Sequence, residues 1–231
     1  MAGGKGTRFR SSRPKQFLEL NGRPVILHTI EAFFRYSENI NVILVLPEND
    51  IETWRQLTEK FRFQKSVIVQ AGGSTRFQSV KKGLELIADN DGLVAIHDGV
   101  RPLVSVEIIA NSFRFAKVHH SAVAAVALKD SIRMIQSDSN EGGNSIKKNQ
   151  AADRSCFRLI QTPQTFPVAL IKKAYSIEDD PSLTDDASVV ERTGQSIFLF
   201  EGSYENLKIT TAEDLVIAEA LLNQRKLLQR E

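Results

Sequence analysis

Short apolar runs alternate with segments of helical periodicity along the first half of this 231-residue chain. The apolar runs are rich in branched residues and almost continuous, which is typical of strands covered on both faces. They lie at 41–47, 66–70, 93–97 and 121–128. Apolar residues at helical spacing lie at 24–36, 50–61, 74–88 and 105–119. This alternation predicts an α/β fold with right-handed crossovers and helices on both faces of a sheet.

A polar segment at 136–154 interrupts the alternation, with two glycines, many Ser, Asn, Asp and Lys residues and little to bury. Strand-like residues flank it at 131–135 and 157–161, so the pattern predicts a protruding β-arm at about 131–156. Such an arm is marginal alone and would pack on another surface, such as a second subunit. Beyond it, the pattern predicts helices at 167–176 and 184–193, a strand at 196–201 and a final helix from Thr211, with Thr210 and Glu213 as its capping box.

Together these elements predict one domain over 1–231, a Rossmann-like and mostly parallel twisted sheet with helices on both faces and the β-arm. In such a sheet, a glycine-rich loop of the kind that opens this chain would follow a strand. Only Met1 and Ala2 precede it. We therefore expect that the chain begins late or that the sheet forms without its first strand.

The charges are nearly balanced, with 30 Lys and Arg against 28 Asp and Glu, which argues against a general nucleic-acid-binding protein. The single cysteine, Cys156, excludes a disulfide scaffold and a Cys-based zinc site. No apolar run approaches the ~18 residues of a membrane span, and no signal-peptide pattern opens the chain. We expect a cytoplasmic protein with neither a nucleic-acid nor a membrane partner.

The first fifteen residues combine glycines with cations and contain no acid. Glycines allow backbone N–H groups to approach phosphate oxygens closely, and several cations suit a triphosphate better than a monophosphate. The segment matches neither a Walker A motif nor a dinucleotide fingerprint, and a flexible, solvated terminus is the alternative. The candidate residues are Gly3, Gly4, Lys5, Gly6, Arg8, Arg10, Arg13 and Lys15.

A second glycine pair, Gly72 and Gly73, lies between a predicted strand and a predicted helix, which again suits a phosphate or a nucleotide edge. Ser79 lies one turn further into that helix. The alternative for this segment is a tight turn in which Ser74 is the helix N-cap.

Asp98 and Arg101 directly follow the predicted strand at 93–97, at the edge where open α/β sheets bind ligands. A carboxylate there can hold a sugar hydroxyl or a metal ion, and an arginine can bind a phosphate with two hydrogen bonds. An ion pair between the two residues is the alternative. Polar candidates in the second half are Arg154, Thr162, Thr184 and Lys208. The alternative for Thr184 is a helix N-cap, and the alternative for Lys208 is an ordinary surface residue.

Several of these motifs are found together, in the same order, in the sugar-phosphate nucleotidyltransferases. The strings AGGKGTR at 2–8 and RPKQF at 13–17 resemble the opening of that family. The Pro-Lys-Gln element resembles its cytidylyltransferase branch, and more closely the 2-C-methyl-D-erythritol 4-phosphate cytidylyltransferase family. Further similar motifs are GGSTRFQSV at 72–80, HDGVRP at 97–102, DS at 130–131, DR at 153–154, TPQ at 162–164, TDDA at 184–187 and NLKIT at 206–210.

The resemblance implies transfer of a cytidylyl group from CTP to a polyol phosphate, with release of pyrophosphate and with Mg²⁺ held mainly by the nucleotide phosphates. It implies that Arg8 and Lys15 stabilise charge on the α-phosphate and that Arg154 and Lys208 hold the acceptor phosphate. The implied CTP site comprises Ala2, Gly3, Gly4, Gly6, Lys15, Gly73, Ser74, Ser79 and Asp98, the last also a possible metal ligand. The implied acceptor site comprises Asp98, Arg101, Ser131, Arg154, Thr162, Thr184 and Lys208.

The arm crosses to a partner subunit in that family, so the resemblance also implies a homodimer in which Ser131 and Arg154 serve the neighbouring site. Val100 is equally similar to a sister branch, the ribitol 5-phosphate cytidylyltransferases, whereas the spacing of Arg76 and Ser79 favours the methylerythritol branch. Two alternatives therefore stay open. One is ribitol 5-phosphate as the acceptor, and the other is a nucleotide-binding module without turnover.

Overall fold

The structure, a computed structural model, describes residues 1, 14–135 and 148–228. Strands and helices alternate through the first half of the chain, as the sequence predicts. The strands are β1 (Glu19–Leu20), β2 (Arg23–Pro24), β3 (Ile43–Leu46), β4 (Ile68–Ala71), β5 (Leu93–Ile96), β6 (Ala122–Ala127), β7 (Ile132–Ile135), β8 (Asn149–Ala152), β9 (Arg158–Pro167) and β10 (Leu199–Glu201). The helices are α1 (Val25–Tyr36), α2 (Ile51–Lys60), α3 (Arg76–Glu85), α4 (Val106–His119), α5 (Val168–Ala174), α6 (Asp186–Glu191) and α7 (Ala212–Leu228).

The main sheet has the strand order β10-β6-β9-β5, and β3 and β4 form a separate parallel pair. β10 runs parallel to β6, but β9 is antiparallel to both of its neighbours, β6 and β5. The mixed α/β class is therefore confirmed, whereas the mostly parallel sheet is not confirmed, since two of the three described strand pairs in the main sheet are antiparallel. The cause is β9, which contains a buried polar run, Gln161 to Thr165, that does not read as a strand from hydrophobicity.

The arm is also rearranged relative to its prediction. β7 pairs with β8, with Ile132 opposite Ala152 and Ile135 opposite Asn149. Residues 157–161, which we expected to form its second flank, instead belong largely to β9 in the main sheet. The tip of the arm, at 136–147, lies outside the described residues.

Helices cover both faces of the sheet because alternate strand residues point to opposite sides. In β6, Val123 packs with residues of α3, α5 and α6, whereas Ala122 and Ala124 pack with α4. α1 and α2 pack against β3, where Leu44 and Leu46 meet Trp54.

Three helix N-caps lie one residue beyond their predicted positions, because each site offers two adjacent side chains that can cap. The hydroxyl of Thr75, not Ser74, accepts the Gln78 N–H at the start of α3. Asp185, not Thr184, forms a capping box at α6. At α7 the box joins Thr211 and Asp214, not Thr210 and Glu213: Asp214 Oδ2 accepts the Thr211 N–H at 2.8 Å, and the Thr211 hydroxyl accepts the Asp214 N–H at 3.4 Å.

Across the described residues, we find no helix with the length and apolar character needed to cross a membrane.

Candidate active site

Asp98 lies directly after β5, at the carboxyl end of that strand, and is the centre of a charged cluster. Its Oδ2 lies 3.1 Å from Lys208 Nζ and 3.1 Å from Arg101 Nε. The Arg101 side chain is buried, whereas that of Lys208 is 42% exposed. The sequence motifs that carry these three residues are therefore brought together, and one carboxylate holds two cations.

Buried polar groups from β9 and the segment after β10 hold this cluster in place. The Asp98 N–H donates to the Thr162 hydroxyl at 3.1 Å, and Arg101 Nη1 donates to the Asn206 carbonyl at 2.7 Å. The Asn206 amide donates in turn to the Thr162 carbonyl at 2.8 Å and to Gln161 Oε1 at 3.3 Å. Sequence reasoning found Thr162 but missed Asn206 and Gln161 as supports, since their role depends on backbone carbonyls that no motif reveals.

The cluster keeps Asp98 ionised. Burial alone would raise the pKa of Asp98, but the Lys208 and Arg101 cations lower it well below its usual range. A carboxylate that stays ionised under these conditions is an acceptor only, so it can hold cations and hydroxyl groups but does not donate a proton at neutral pH.

The neighbouring His97 is buried, and its ring makes an edge contact with Phe33, with 5.1 Å between the ring centroids. Burial lowers its pKa to about 3. Its charged form is thus excluded from the folded protein at neutral pH, which supports a packing role rather than a role as a base.

Protein stability should consequently fall as the pH drops from about 6 to about 4, because the unfolded His97 takes up a proton that the folded ring does not accept. The slope from this residue is about 1.4 kcal/mol per pH unit in the free energy of unfolding. Urea titrations at several pH values should show a shallower slope for His97→Phe. An identical slope in the two proteins would contradict the assignment of a neutral, buried ring.

The Gly72 and Gly73 turn joins β4 to α3 and is built around Ser79. The Gly73 N–H donates to Ser79 Oγ at 3.0 Å, and that hydroxyl donates to the Thr75 carbonyl at 2.8 Å. A Cβ atom on Gly73 would lie 2.4 Å from Gln78 Cβ, so the close approach requires glycine. Ser79 is buried and shapes the turn, whereas Ser74 is exposed at its surface and bonds to Gln78 Oε1.

An ion pair that sequence reasoning did not assign connects this turn to α6. Arg76 Nη1 lies 2.9 Å from Asp186 Oδ1, and Arg76 Nη2 bonds to the other carboxylate oxygen. Asp186 has no exposed surface and also accepts the Tyr175 hydroxyl at 2.6 Å. Burial opposes the charge on Arg76, but Asp186 more than compensates and raises the pKa of Arg76. The pair anchors the start of α3, which directly follows the glycine turn.

Lys15 is the first residue of a short 3-10 helix, Lys15–Phe17, and the other two residues of that helix fix its position. Gln16 is buried and donates to Asp50 Oδ2 at 2.9 Å. Phe17 packs into the core between α1 and β3. The other candidate residues of the opening segment lie outside the described residues: Ala2, Gly3, Gly4, Lys5, Gly6, Arg8, Arg10 and Arg13.

Three further predicted residues do not bond to Asp98, and all three are exposed. Arg154 follows β8, and its guanidinium donates to the Lys129 carbonyl. Ser131 directly precedes β7. Thr184 precedes Asp185, which accepts a hydrogen bond of 2.9 Å from Gln164 in β9.

No cluster of three or more His, Cys, Asp or Glu side chains is arranged to hold a metal ion in the part of the chain that the structure describes. Both ion pairs of Asp98 use Oδ2, so its Oδ1 lies outside those pairs. Magnesium is commonly held by one or two carboxylates together with substrate phosphates. A single carboxylate beside two cations fits that arrangement.

Comparison with known proteins decides what this site belongs to. The 2-C-methyl-D-erythritol 4-phosphate cytidylyltransferase family profile matches residues 1–224, nearly the whole chain. The chain belongs to that cytidylyltransferase family. It is therefore a nucleotidyltransferase, and the alternative of a module without turnover is not favoured.

Individual members of the family agree with this placement. The 2-C-methyl-D-erythritol 4-phosphate cytidylyltransferase of Bacteroides fragilis is 44% identical over 222 residues, which cover 96% of this chain and 97% of that protein. The crystal structure of the enzyme of that name from Thermus thermophilus is similar with a TM-score of 0.68 and 30% identity, covering 90% of this chain and 93% of that one. A 4-diphosphocytidyl-2C-methyl-D-erythritol synthase from Anaerococcus prevotii has a TM-score of 0.75 at 28% identity, with 89% and 88% coverage. The ribitol alternative is not favoured by these matches.

Proposed function

We propose that this cytidylyltransferase transfers the cytidylyl group of CTP to the phosphate of 2-C-methyl-D-erythritol 4-phosphate, in isoprenoid precursor biosynthesis. The observation that carries the proposal is the match of the family along nearly the entire chain. The cluster of Asp98, Arg101 and Lys208 at the end of β5 supplies cationic groups for binding an anionic acceptor.

The chemistry is a direct displacement at phosphorus. An oxygen of the acceptor phosphate attacks the α-phosphorus of CTP, a new P–O bond forms, and the bond to the bridging oxygen of the β-phosphate breaks. Pyrophosphate leaves with the electron pair. Little covalent chemistry is left for the protein, so positioning and charge stabilisation dominate catalysis.

We assign the stabilisation of charge on the α-phosphate to Lys15 and Arg8. Lys15 is suited to this role because the buried Gln16 and Phe17 fix the turn that carries it. We assign the binding of the nucleotide to Ala2, Gly3, Gly4 and Gly6 together with the turn at Gly73 and Ser74. Ser79 stabilises that turn by accepting the Gly73 N–H. We assign a hydroxyl group of the nucleotide sugar to Asp98, whose ionised carboxylate would accept a hydrogen bond from it.

We assign the acceptor phosphate to Lys208 and Arg154, with Arg101, Ser131, Thr162 and Thr184 helping to hold the acceptor. The exposure of Lys208 supports this role, because of the two cations paired with Asp98 it is the more accessible to solvent. Arg101 is enclosed and bonded to the Asn206 carbonyl, so its contribution to the acceptor site is to orient Asp98.

Mg²⁺ would be held by the CTP phosphates and by Asp98, and when bound it offsets the charge that builds up on the pyrophosphate leaving group. Removal of divalent ions with a chelator should abolish pyrophosphate release and leave the melting temperature within about 2 °C, because the described residues show no structural metal cluster. Full activity after chelation would contradict the metal requirement.

We further propose that the arm formed by β7 and β8 crosses to a second subunit. A two-stranded hairpin is marginal on its own, and exposed apolar residues lie along and beside it: Met134, Ile135, Phe157, Leu159 and Ile160. In such a dimer, Arg154 of one chain would complete the site that contains Lys208 of the other.

Mixed dimers test this exchange. Arg154→Ala and Lys208→Ala should each be nearly inactive, whereas co-expression of the two variants should restore about a quarter of wild-type activity, because half of the dimers are mixed and each contains one intact site. No recovery, with dimers verified by sedimentation, would place Arg154 in the site of its own chain.

The function itself is tested by pyrophosphate release from CTP, ATP, UTP and GTP, with 2-C-methyl-D-erythritol 4-phosphate or ribitol 5-phosphate as acceptor. We expect CTP with the erythritol acceptor to exceed every other combination by at least about tenfold. Faster release with ribitol 5-phosphate would overturn the acceptor assignment. No release with CTP would overturn the proposed function.

A further inference from the structure

The side chain of Gln78, in the first turn of α3, folds back onto the glycine turn that precedes the helix. Its Oε1 accepts the Ser74 N–H at 3.1 Å and the Ser74 hydroxyl at 2.8 Å. A Cβ atom on Gly73 would lie 3.0 Å from the same oxygen. Gln78 is thus in close contact with Gly73 and Ser74, the two turn residues that we assign to the nucleotide.

Asp179 holds the other end of the Gln78 amide. It lies in the segment 175–185, between α5 and α6, and its Oδ2 accepts Gln78 Nε2 at 3.2 Å. The same oxygen accepts the Thr75 hydroxyl at 2.5 Å, and that hydroxyl accepts the Gln78 N–H at 3.1 Å. One carboxylate oxygen therefore binds both the Gln78 side chain and the N-cap residue of its helix.

These contacts leave one orientation for the Gln78 amide. An ionised carboxylate accepts hydrogen bonds but does not donate them, so the NH₂ group faces Asp179. The carbonyl oxygen then faces the N–H and the hydroxyl of Ser74, which both donate to it. Asp179 therefore acts on Ser74 through Gln78, because it determines which group of the amide the turn receives.

The attachment of the turn to the fold has a separate, buried basis. Ser79 accepts the Gly73 N–H, and Arg76 is paired with Asp186, which has no exposed surface. Asp179 and Ser74 are both exposed. The contact between Asp179 and Gln78 thus fixes the outer part of the turn, the part that a ligand from solvent meets, and contributes little to the core.

We propose that Gln78, held by Asp179, is a positioning residue for CTP that acts through Ser74 and Gly73. The inference rests on the proposed function, which assigns the turn to the nucleotide. A turn that is already held in one conformation loses less entropy when the nucleotide binds, so the affinity for CTP is higher. The turn binds the nucleotide before and during the reaction, so the contact lowers KM for CTP and leaves kcat nearly unchanged.

The test exchanges the donor and the acceptor of the bond between Gln78 and Asp179. Gln78→Glu places a second carboxylate opposite Asp179, and the two like charges repel, so the side chains separate. We expect KM for CTP to rise about tenfold, while kcat and KM for the acceptor stay within about twofold. Gln78→Glu combined with Asp179→Asn again places an amide opposite a carboxylate, and KM for CTP should return to within about twofold of the wild type.

Gln56→Glu is the matched control, since Gln56 on the exposed face of α2 also donates to a carboxylate, that of Glu52, at 3.5 Å. Its KM for CTP should equal that of the wild type. Gln78→Met is a second variant, which removes the polar contacts without adding a charge, and it should also raise KM for CTP. Melting temperatures within about 3 °C of the wild type would verify that each variant is folded.

Calorimetric titration with CTP and Mg²⁺, without acceptor, measures the affinity in the absence of turnover. Wild-type affinity in Gln78→Glu and Gln78→Met would overturn the positioning role alone, as long as the wild-type protein itself binds CTP. No recovery in the double variant, or an equal rise in KM for the acceptor, would also overturn it. A wild-type protein that does not bind CTP would overturn the proposed function, and the positioning role with it.

Discussion

Lys15→Ala should lower kcat by about 10²–10³-fold, the loss expected when one preorganised charge of about 3–4 kcal/mol is removed from a phosphoryl-transfer transition state. The melting temperature should be nearly unchanged, because the buried neighbours Gln16 and Phe17 hold the turn. Steady-state kinetics with CTP and 2-C-methyl-D-erythritol 4-phosphate measure the effect.

Lys117→Ala is the matched control, since it removes the same charge from an exposed position on α4. Its kcat should equal that of the wild type. Wild-type turnover in correctly folded Lys15→Ala would overturn the assignment of Lys15 to the α-phosphate. A proportional rise in KM at constant kcat would assign Lys15 to ground-state binding instead.

Asp186→Asn should destabilise the protein by about 3–5 kcal/mol, because it leaves the Arg76 guanidinium without its counterion. Asparagine has nearly the same volume as aspartate, so the packing is retained. For a domain of this size, that corresponds to a fall of about 10 °C in melting temperature. Calorimetry measures the fall. Pyrophosphate release at temperatures below the unfolding transition should also decrease, because Arg76 is the first residue of the helix that follows the glycine turn.

Two further variants separate the buried pair from charge in general. Glu38→Ala breaks an exposed ion pair with Lys65 and should cost less than about 1 kcal/mol. The triple replacement Arg76→Met, Asp186→Leu and Tyr175→Phe removes all three polar partners together and should recover much of the stability. If Asp186→Asn melted at the wild-type temperature, Asp186 would have no role as a structural anchor.

The strands β3, β4, β5 and β6 were predictable because continuous branched apolar runs have few other uses in a chain of this composition. β9 was not predictable in the same way. Its Gln164 side chain donates to Asp185 and accepts the Ala187 N–H at 2.8 Å, so a polar residue is buried at little cost. Hydrophobic patterning cannot find a strand whose buried side chains are satisfied by partners far along the chain.

The site divides along a similar line. Asp98 and Arg101 were predictable from their position after a strand, where ligands collect in α/β sheets. Lys208 gives no such signal, since a lone lysine in a polar segment is usually at the surface, and the resemblance alone indicated it. Asn206 acts through its backbone carbonyl, which binds Arg101, and Asp186 acts through its buried ion pair with Arg76. Both arrangements form only when the chain folds.

The sharing of Asp98 between an enclosed arginine and a half-exposed lysine has a consequence for the way in which an anion binds there. Lys208 is already paired with Asp98, so an anion that binds this lysine must take the place of that carboxylate. Arg101 stays behind and keeps the carboxylate ionised during that exchange. Under the proposed assignment of Lys208 to the acceptor phosphate, binding is an exchange of counterions, and any other anion faces the same competition from Asp98.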